Sequence, residues 1–312
     1  MIEEAAKAPV TGAAMTAIGV AMIRARESER PDRLYDDPWA KQFVAAARSD
    51  FEPERWARLE TVAEQFYAGR SLGVRLVDDW VREAIDAGCR QIVLLGAGLD
   101  TRAFRMALPE SIHVFEIDLP GLFAFKEPVL TRAGSVATCR RQVIAVDLAE
   151  DWPTALRKNG FRPDVPTYWV DEGALAYLPP EQHRRVVLTL TELSCRGSRF
   201  GVSRFRVDAT AGPYPELRRL VSGDAAPPRA ACGLGEDVEQ WLDEIGWDTE
   251  FRSWSDMVAP LGRPVAGLDP DVGNIAATRR PTPQRRSGDS CTPSKLRGER
   301  THFVPVRPDD SP

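Results

Sequence analysis

The chain carries a glycine turn that follows directly on an apolar run. The run is residues 92–95, and the turn is Gly96-Ala97-Gly98. Such a run is typical of a buried parallel strand, and glycine lets a ligand approach the backbone that a Cβ would block. Backbone N–H groups at the start of a following helix would be free to bind that ligand. The turn therefore predicts a cofactor site at the end of a first strand.

Each of the next two apolar runs along the chain is followed or closed by an acidic residue. Asp118 ends a second run, twenty residues after Gly98, and Asp147 ends a third run with Leu148 after it. A carboxylate in the first position can accept from both hydroxyls of a ribose. Asp147 can accept from an exocyclic adenine amine while Leu148 covers the ring. Because open α/β sheets bind ligands at the carboxyl ends of their strands, these residues predict one nucleoside-binding crevice.

The residue three positions after Gly98 distinguishes between cofactors. Dinucleotide motifs have a third glycine there, and this chain has Thr101, with Asp100 before it. The departure weakens a pyrophosphate site and favours S-adenosylmethionine, which contains adenine, ribose and an amino acid but no phosphate. A nicotinamide-dependent oxidoreductase is the less favoured alternative, since it would explain Asp118 but not Asp147-Leu148.

In these segments and others, the chain resembles the leucine carboxyl methyltransferase superfamily. It is most similar to the bacterial branch of S-adenosylmethionine-dependent enzymes that includes polyketide O-methyltransferases. The matching segments, in order over residues 14–280, are TAIGVAMIRARESERPDRLYDDPWAKQF, LLGAGLDTRAFR, VFEIDLP with Lys126 downstream, AVDLAEDWPTAL and DEGALAYLPPE. The resemblance implies an α/β class I methyltransferase fold, in which a Rossmann-like doubly wound sheet carries an N-terminal helical block and a cap insertion.

The resemblance also implies roles for single residues. It implies that Gly96 and Gly98 contact the methionyl part of the cofactor, and that Glu172 adds a further contact. It implies that Asp118 binds the ribose, with Glu116 as a lesser candidate. The adenine is expected against Asp147 and Leu148. An arginine ahead of the first strand is expected to bind the cofactor carboxylate, because a guanidinium can do so bidentately. Arg70 is the preferred candidate and Arg75 the alternative. The resemblance also implies that the N-terminal block closes over the cofactor, with Arg24 or Arg26 as candidates to reach the site, although a purely structural helix face explains either one more simply.

The choice of methyl acceptor is constrained mainly by the lack of a well-placed histidine. A hydroxyl acceptor usually needs a general base, and His113, His183 and His302 are all poorly placed for that role. A carboxylate acceptor is already ionised at neutral pH. We therefore expect O-methylation of a carboxylate, or alternatively a hydroxyl, on a small molecule, as in secondary metabolism.

Catalytic residues are not identified by the sequence. Glu172 and Tyr177 are the candidates, with Asp171 as another potential base. Ala174 and Ala176 replace a bulky apolar residue and a proline of the family pattern, and Asp171 replaces a small residue. These changes lie near the expected substrate mouth, so a protein that binds S-adenosylmethionine without catalysis is a second alternative.

The pattern along the chain predicts three parts. Residues 1–88 are expected to form a helical block over the cofactor, residues 89–280 the methyltransferase domain, and residues 281–312 a disordered tail. In the helical block, the third helical pattern runs from Gly69 to Ala87. Within the domain, residues 208–232 are expected to form a cap or substrate insertion. Trp169 is expected in the core.

Composition is that of an ordinary globular enzyme. A net charge of −5 argues against nucleic-acid binding, and no apolar segment approaches the ~20 residues of a membrane span. The N-terminus has no signal pattern, and the five scattered cysteines include no C-x-x-C pair. We expect a cytoplasmic protein with no metal site.

Overall fold

The computed structural model describes residues 7–204, 214–222, 237–263 and 270–281. These residues belong to one compact unit, residues 1–282. The described strands are β1 (Gln91–Leu95), β2 (His113–Asp118), β3 (Arg140–Ala145), β4 (Thr167–Asp171), β5 (Arg199–Arg204), β6 (Trp247–Ser253) and β7 (Gly273–Arg279). β1 spans the apolar run 92–95, and β2 ends at Asp118, as predicted.

The seven strands pair into one sheet in the order β3-β2-β1-β4-β5-β7-β6. The first five are parallel, and β7 runs antiparallel to β5 on one side and β6 on the other. Dinucleotide-binding sheets have the order 3-2-1-4-5-6 without such an inserted strand. The carboxyl ends of β1 to β4, which carry the predicted cofactor residues, lie along one edge of this sheet.

Helices cover both faces of the sheet. The described helices are α1 (Thr16–Ser28), α2 (Ala40–Ala47), α3 (Pro53–Asp86), α4 (Arg102–Arg105), α5 (Pro120–Arg132), α6 (Trp152–Lys158), α7 (Pro180–Glu192), α8 (Tyr214–Ser222), α9 (Val238–Glu244) and α10 (Trp254–Val258). One core cluster packs residues of α1, α2, α3 and α5 on one face, and a second packs residues of α6, α7 and α9 on the other. Trp169 of β4 is fully buried in the second cluster, as predicted.

Two helix boundaries differ from the sequence prediction. The third helix was expected from Gly69, but α3 begins at Pro53 and runs for 34 residues, about 50 Å. Pro53 starts the helix well because its first N–H needs no intrahelical partner. The helix expected directly after Gly98 begins only at Arg102 and is four residues long. Helix N-terminal N–H groups therefore do not line the glycine turn.

Several sequence predictions fall partly outside the described residues. Of the insertion predicted at 208–232, the structure describes α8, which packs on α3 through an Arg58–Glu216 ion pair of 2.7 Å. Of the tail predicted at 281–312, it describes only Pro281, and His302 lies outside the described residues. No helix among the described residues is long and apolar enough to cross a membrane.

Candidate active site

A cavity of about 870 Å³ opens where β1 to β4 end, between the sheet edge and helices α1 and α3. The preferred candidates from the sequence all line it: Arg70, Gly96, Gly98, Asp118, Asp147, Leu148, Glu172 and Tyr177. Small-molecule sites occupy clefts of roughly 300–1,000 Å³. The cavity is therefore at the large end of that range, with room for a cofactor and an acceptor.

The glycine turn is held by Asp118. The N–H of Gly98 donates to Oδ2 of Asp118, and the N–H of Leu119 donates to Oδ1, both at 2.7 Å. The Gly98 N–H was expected to be free for a ligand, and that expectation is wrong. Burial raises the pKa of Asp118 even though both N–H bonds oppose the shift. Each carboxylate oxygen has a further lone pair, so Asp118 can still accept from a diol.

Gly96 is required by a protein neighbour. A Cβ on Gly96 would lie 2.2 Å from the Cβ of Ala174, and its φ of +66° is in the left-handed region. Ala174 is held there because its N–H donates to Oδ1 of Asp171 at 2.8 Å, alongside the N–H groups of Gly173 and Leu175. Position 174, where the turn after β1 meets the turn after β4, thus carries alanine instead of the bulky residue that the resemblance led us to expect.

Asp147 and Leu148 lie at the β3 end of the cavity. Oδ1 of Asp147 accepts from the Ala149 N–H at 2.8 Å, which leaves Oδ2 without a protein donor among the described residues. Leu148 packs against the core cluster on the α6 side of the sheet. A carboxylate oxygen and an apolar side chain thus adjoin, as an adenine site requires.

The structure separates the two candidate arginines. Arg70 lines the cavity, where its Nη2 donates to the Glu172 carbonyl at 2.6 Å and its buried Nε has no partner. Arg75 lies outside the cavity lining, paired with Asp79 at 2.9 Å and with the Leu34 carbonyl at 3.0 Å. Arg70 has donors left for a ligand carboxylate.

Glu172 belongs to a buried charge cluster built around Arg102. Its Oε2 accepts from Nη1 of Arg102 at 2.6 Å, while Nε of Arg102 donates to Asp78 at 2.7 Å and Nη1 also binds Asp100. Arg105 makes two further bonds to Asp78. Burial opposes ionisation of Asp100, but the positive charge of Arg102 outweighs it and lowers the pKa to about 2. Sequence reasoning missed this cluster, although Asp100, Thr101 and Arg102 stand in the LDTR motif.

The N-terminal block is bound to the same turn. Nη2 of Arg24 donates to the Leu99 carbonyl at 2.7 Å, and its Nη1 pairs with Asp37 at 3.0 Å. The Thr101 hydroxyl donates to the same carboxylate at 2.8 Å. Thr101 therefore replaces the third glycine of dinucleotide motifs with a side chain that ties the turn to the segment before α2. Arg24 also lines the cavity, whereas Arg26 lies outside its lining and pairs with Glu64.

Other candidates lie away from the cavity. Glu116 is fully buried and binds Lys126 and Arg141, each at 2.7 Å, so it is not the ribose acid. His183 is buried on α7, and desolvation lowers its pKa to about 4. His113 packs on the Phe115 ring. No histidine is among the described residues that line the cavity.

The chain is similar to known proteins of one family over most of its length. The family model described as leucine carboxyl methyltransferase matches residues 17–191. A putative S-adenosyl-L-methionine-dependent methyltransferase of Frankia alni is 40% identical over 273 residues, 86% of this chain and 95% of that protein. A protein of the same description from Streptomyces coelicolor is 38% identical, over 86% of this chain and 96% of its own length.

A likeness to solved structures concerns the fold alone. The crystal structure of a DUF574 family protein from Streptomyces avermitilis matches with a TM-score of 0.50 at 17% identity. The match covers 82% of this chain and 98% of that one. The predicted class I methyltransferase fold, an α/β sheet with helices on both faces, is confirmed.

Proposed function

Since the chain belongs to the leucine carboxyl methyltransferase family, we propose that it is an S-adenosylmethionine-dependent methyltransferase whose acceptor is the carboxylate of a small molecule. The observation that carries the choice of acceptor is the state of the acidic groups around the cavity. Each of them already accepts a hydrogen bond or an ion pair from the protein.

The residues present fit the cofactor. Asp118 has lone pairs for the ribose diol, and Asp147 with Leu148 offers an acceptor and an apolar face to adenine. Arg70 lines the cavity with its side chain 31% exposed, and its bond to the Glu172 carbonyl uses only Nη2, so its guanidinium is able to bind the amino-acid carboxylate. When bound, S-adenosylmethionine supplies an electrophilic methyl group on its sulfonium.

The described carboxylates at the centre of the cavity are poor general bases. Asp171 has one oxygen occupied by three backbone N–H groups, and Asp118 binds two N–H groups. Glu172 is paired with the buried guanidinium of Arg102. A base must be able to reach and take the proton of its substrate, and each of these groups has at least one oxygen already bound to protein donors. A carboxylate acceptor has no proton to lose.

The protein then contributes mainly alignment and exclusion of water. Orientation of two reactants can supply about 7–11 kcal/mol of a barrier in favourable cases. Here α1 lies over the glycine turn, since a Cβ on Gly98 would be 3.5 Å from the Cβ of Ala17. Arg24 fixes that helix to the Leu99 carbonyl. Together they close one side of the cavity over the expected position of the reacting groups.

The test is calorimetric titration of the purified chain with S-adenosylmethionine, S-adenosylhomocysteine and NADH, followed by a methyl-transfer screen. Micromolar binding of both sulfur ligands, lost in Asp118→Ala and retained in the matched surface variant Asp79→Ala, is the expected result. The screen pairs each carboxylic acid with the alcohol of the same skeleton, and transfer to the acids alone supports the proposal. Transfer only to alcohols contradicts it, and so does binding without any turnover, which would indicate a non-catalytic cofactor-binding protein.

A further inference from the structure

The cavity extends well beyond the cofactor residues, across the α3 face of the sheet. It is also lined by residues of β5, β7 and α10, among them Gly201, Asn274 and Trp254. The sheet order places β3, with the expected adenine site, at one end and β7 five strands away on the other side of β1. This arm of the cavity therefore lies on the acceptor side of the glycine turn.

Two residues at this end are largely buried but carry polar side chains. Tyr168 of β4 is 6% exposed and Asn274 of β7 is 7% exposed. Among the described residues, neither the Tyr168 hydroxyl nor the Asn274 amide has a hydrogen-bond partner. Neither group is among the fully buried polar atoms without a partner, so both polar ends keep access to the cavity that they line.

The two groups converge on a glycine. A Cβ on Gly201 would lie 3.5 Å from both the N and the O of the Asn274 amide and 3.7 Å from the Tyr168 hydroxyl oxygen. Gly201 has no positive φ, so its backbone conformation does not demand glycine. The missing side chain instead leaves open the space toward which a hydroxyl and an amide both point.

Flat aromatic side chains line the approach to this spot. Trp80 of α3 and Trp254 of α10 both line the cavity, and neither ring stacks on another ring among the described residues. Gly73 of α3 brings the helix close to Trp254, because a Cβ there would lie 3.9 Å from the indole ring. Indoles are suited to hold a flat apolar body by stacking or edge contacts.

We propose that Tyr168, Gly201 and Asn274 form an acceptor subsite that binds a hydroxyl or carbonyl group at the far end of a flat, cyclic carboxylic acid, whose body lies beside Trp80 and Trp254. The inference rests on the proposed function. Tyr168 lies three residues before the end of β4 at Asp171, and Gly201 lies one strand beyond β4. At about 3.3 Å per residue and 4.8 Å per strand, the polar group lies about 11 Å from the methylated carboxylate. An amide and a hydroxyl can each donate and accept a hydrogen bond, so the subsite can bind either a hydroxyl or a carbonyl oxygen.

The test uses two probes that differ in one group, 4′-hydroxybiphenyl-4-carboxylic acid and biphenyl-4-carboxylic acid. Two rings separate the carboxylate from the hydroxyl by roughly that distance. Calorimetry on the chain saturated with S-adenosylhomocysteine gives a Kd for each. We expect the hydroxylated acid to bind about 3- to 10-fold more tightly, as one or two neutral hydrogen bonds provide.

Three variants assign that preference to the subsite. Tyr168→Phe and Asn274→Leu remove one polar group each at nearly constant volume, and Gly201→Ala fills the space with a methyl at ordinary contact distance. Each is expected to bring the two Kd values together while S-adenosylhomocysteine affinity stays unchanged. Gly121→Ala on α5, which meets nothing within 4 Å and lies outside the cavity lining, is the matched control and should keep the preference.

The outcomes separate the subsite from the proposed chemistry. Equal affinities of both acids for the unmodified chain, or no binding of either, overturn the subsite, whatever the methyl-transfer screen gives. A preference that survives all three variants also overturns it. A preference lost in the variants, without methyl transfer to either acid, supports the subsite and counts against carboxyl methylation.

Discussion

Gly96 and Ala174 meet so closely that neither position tolerates a larger residue in the present backbone. A Cβ on Gly96 would lie 2.2 Å from the Cβ of Ala174. The contact joins the turn after β1 to the turn after β4, the two segments between which the methyl group is expected to pass. The glycine of the cofactor turn is thus fixed by the protein's own packing as well as by any ligand.

Gly96→Ala is predicted to destabilise the fold by about 2–4 kcal/mol, from a left-handed φ and from overpacking. Equilibrium denaturation in urea measures the change. Adding Ala174→Gly removes the clash but leaves the strained φ, so the double variant should recover about half of the loss. A double variant no more stable than Gly96→Ala would show that Ala174 is not the obstacle.

Arg102→Met is predicted to cost about 3–5 kcal/mol, because it leaves the carboxylates of Asp78, Asp100 and Glu172 around a buried apolar side chain. The surface variant Arg75→Met should cost about 1 kcal/mol or less. Comparable losses in the two variants would contradict the buried cluster.

The cost of Arg102→Met should also depend on pH. The folded-state pKa of Asp100 is about 2, below its ordinary value of 3.8. Its stabilising contribution is therefore complete above pH 4 and is lost as the pH falls through 4 toward 2. The gap in unfolding free energy between the two chains should narrow over that range, and Asp100→Asn should show a smaller dependence.

The sequence predicted which residues lie together at the strand ends. Asp118, Asp147 and Leu148 line one cavity because a parallel sheet gathers the carboxyl ends of its strands at one edge, and their roles in binding a cofactor stay predictions. Glu116, two residues before Asp118, points to the interior, where Lys126 and Arg141 neutralise it. Alternation along the strand alone does not separate the two acids, since both lie on the same face.

Contacts between segments far apart in the chain could not be predicted from the sequence. The ion pair of Arg102 with Glu172 joins residues 70 positions apart. Tyr168, Gly201 and Asn274 come from three strands whose order, with β7 inserted beside β5, no local pattern specifies. Helix boundaries failed for a related reason: the polar first half of α3 is helical because α1 and α8 pack against it.

His183 should make the fold sensitive to mild acid. Burial lowers its folded-state pKa to about 4, below the ordinary 6.5, so the unfolded chain binds a proton first as the pH falls. Stability should therefore decline from pH 6.5 to 4, by at most about 1.4 kcal/mol per pH unit from this group. His183→Gln should flatten that part of the profile of unfolding free energy against pH. An unchanged slope would show that other groups cause it.

Tyr177→Phe tests the absence of a general base. Tyr177 lines the cavity and is 41% exposed, so it is the candidate base left over when the paired carboxylates are set aside. With a carboxylic acid acceptor, kcat should stay within about twofold in Tyr177→Phe, since proton transfer normally contributes 100-fold or more where it operates. The profile of kcat against pH should also be level from pH 6 to 8. A large loss of kcat, or a rise with pH that the variant abolishes, would assign Tyr177 as the base.

Arg70 and Arg75 form a matched pair for the last prediction, since both lie on α3 and only Arg70 lines the cavity. Arg70→Gln removes a charge-assisted bond to the cofactor carboxylate, so the Kd for S-adenosylhomocysteine should rise about 10- to 100-fold. Arg75→Gln breaks a surface pair with Asp79 and should leave that Kd unchanged. Titration with adenosine, which has no carboxylate, should not distinguish the two variants. Equal effects on both ligands would mean that Arg70 acts by holding Glu172 rather than by binding the cofactor.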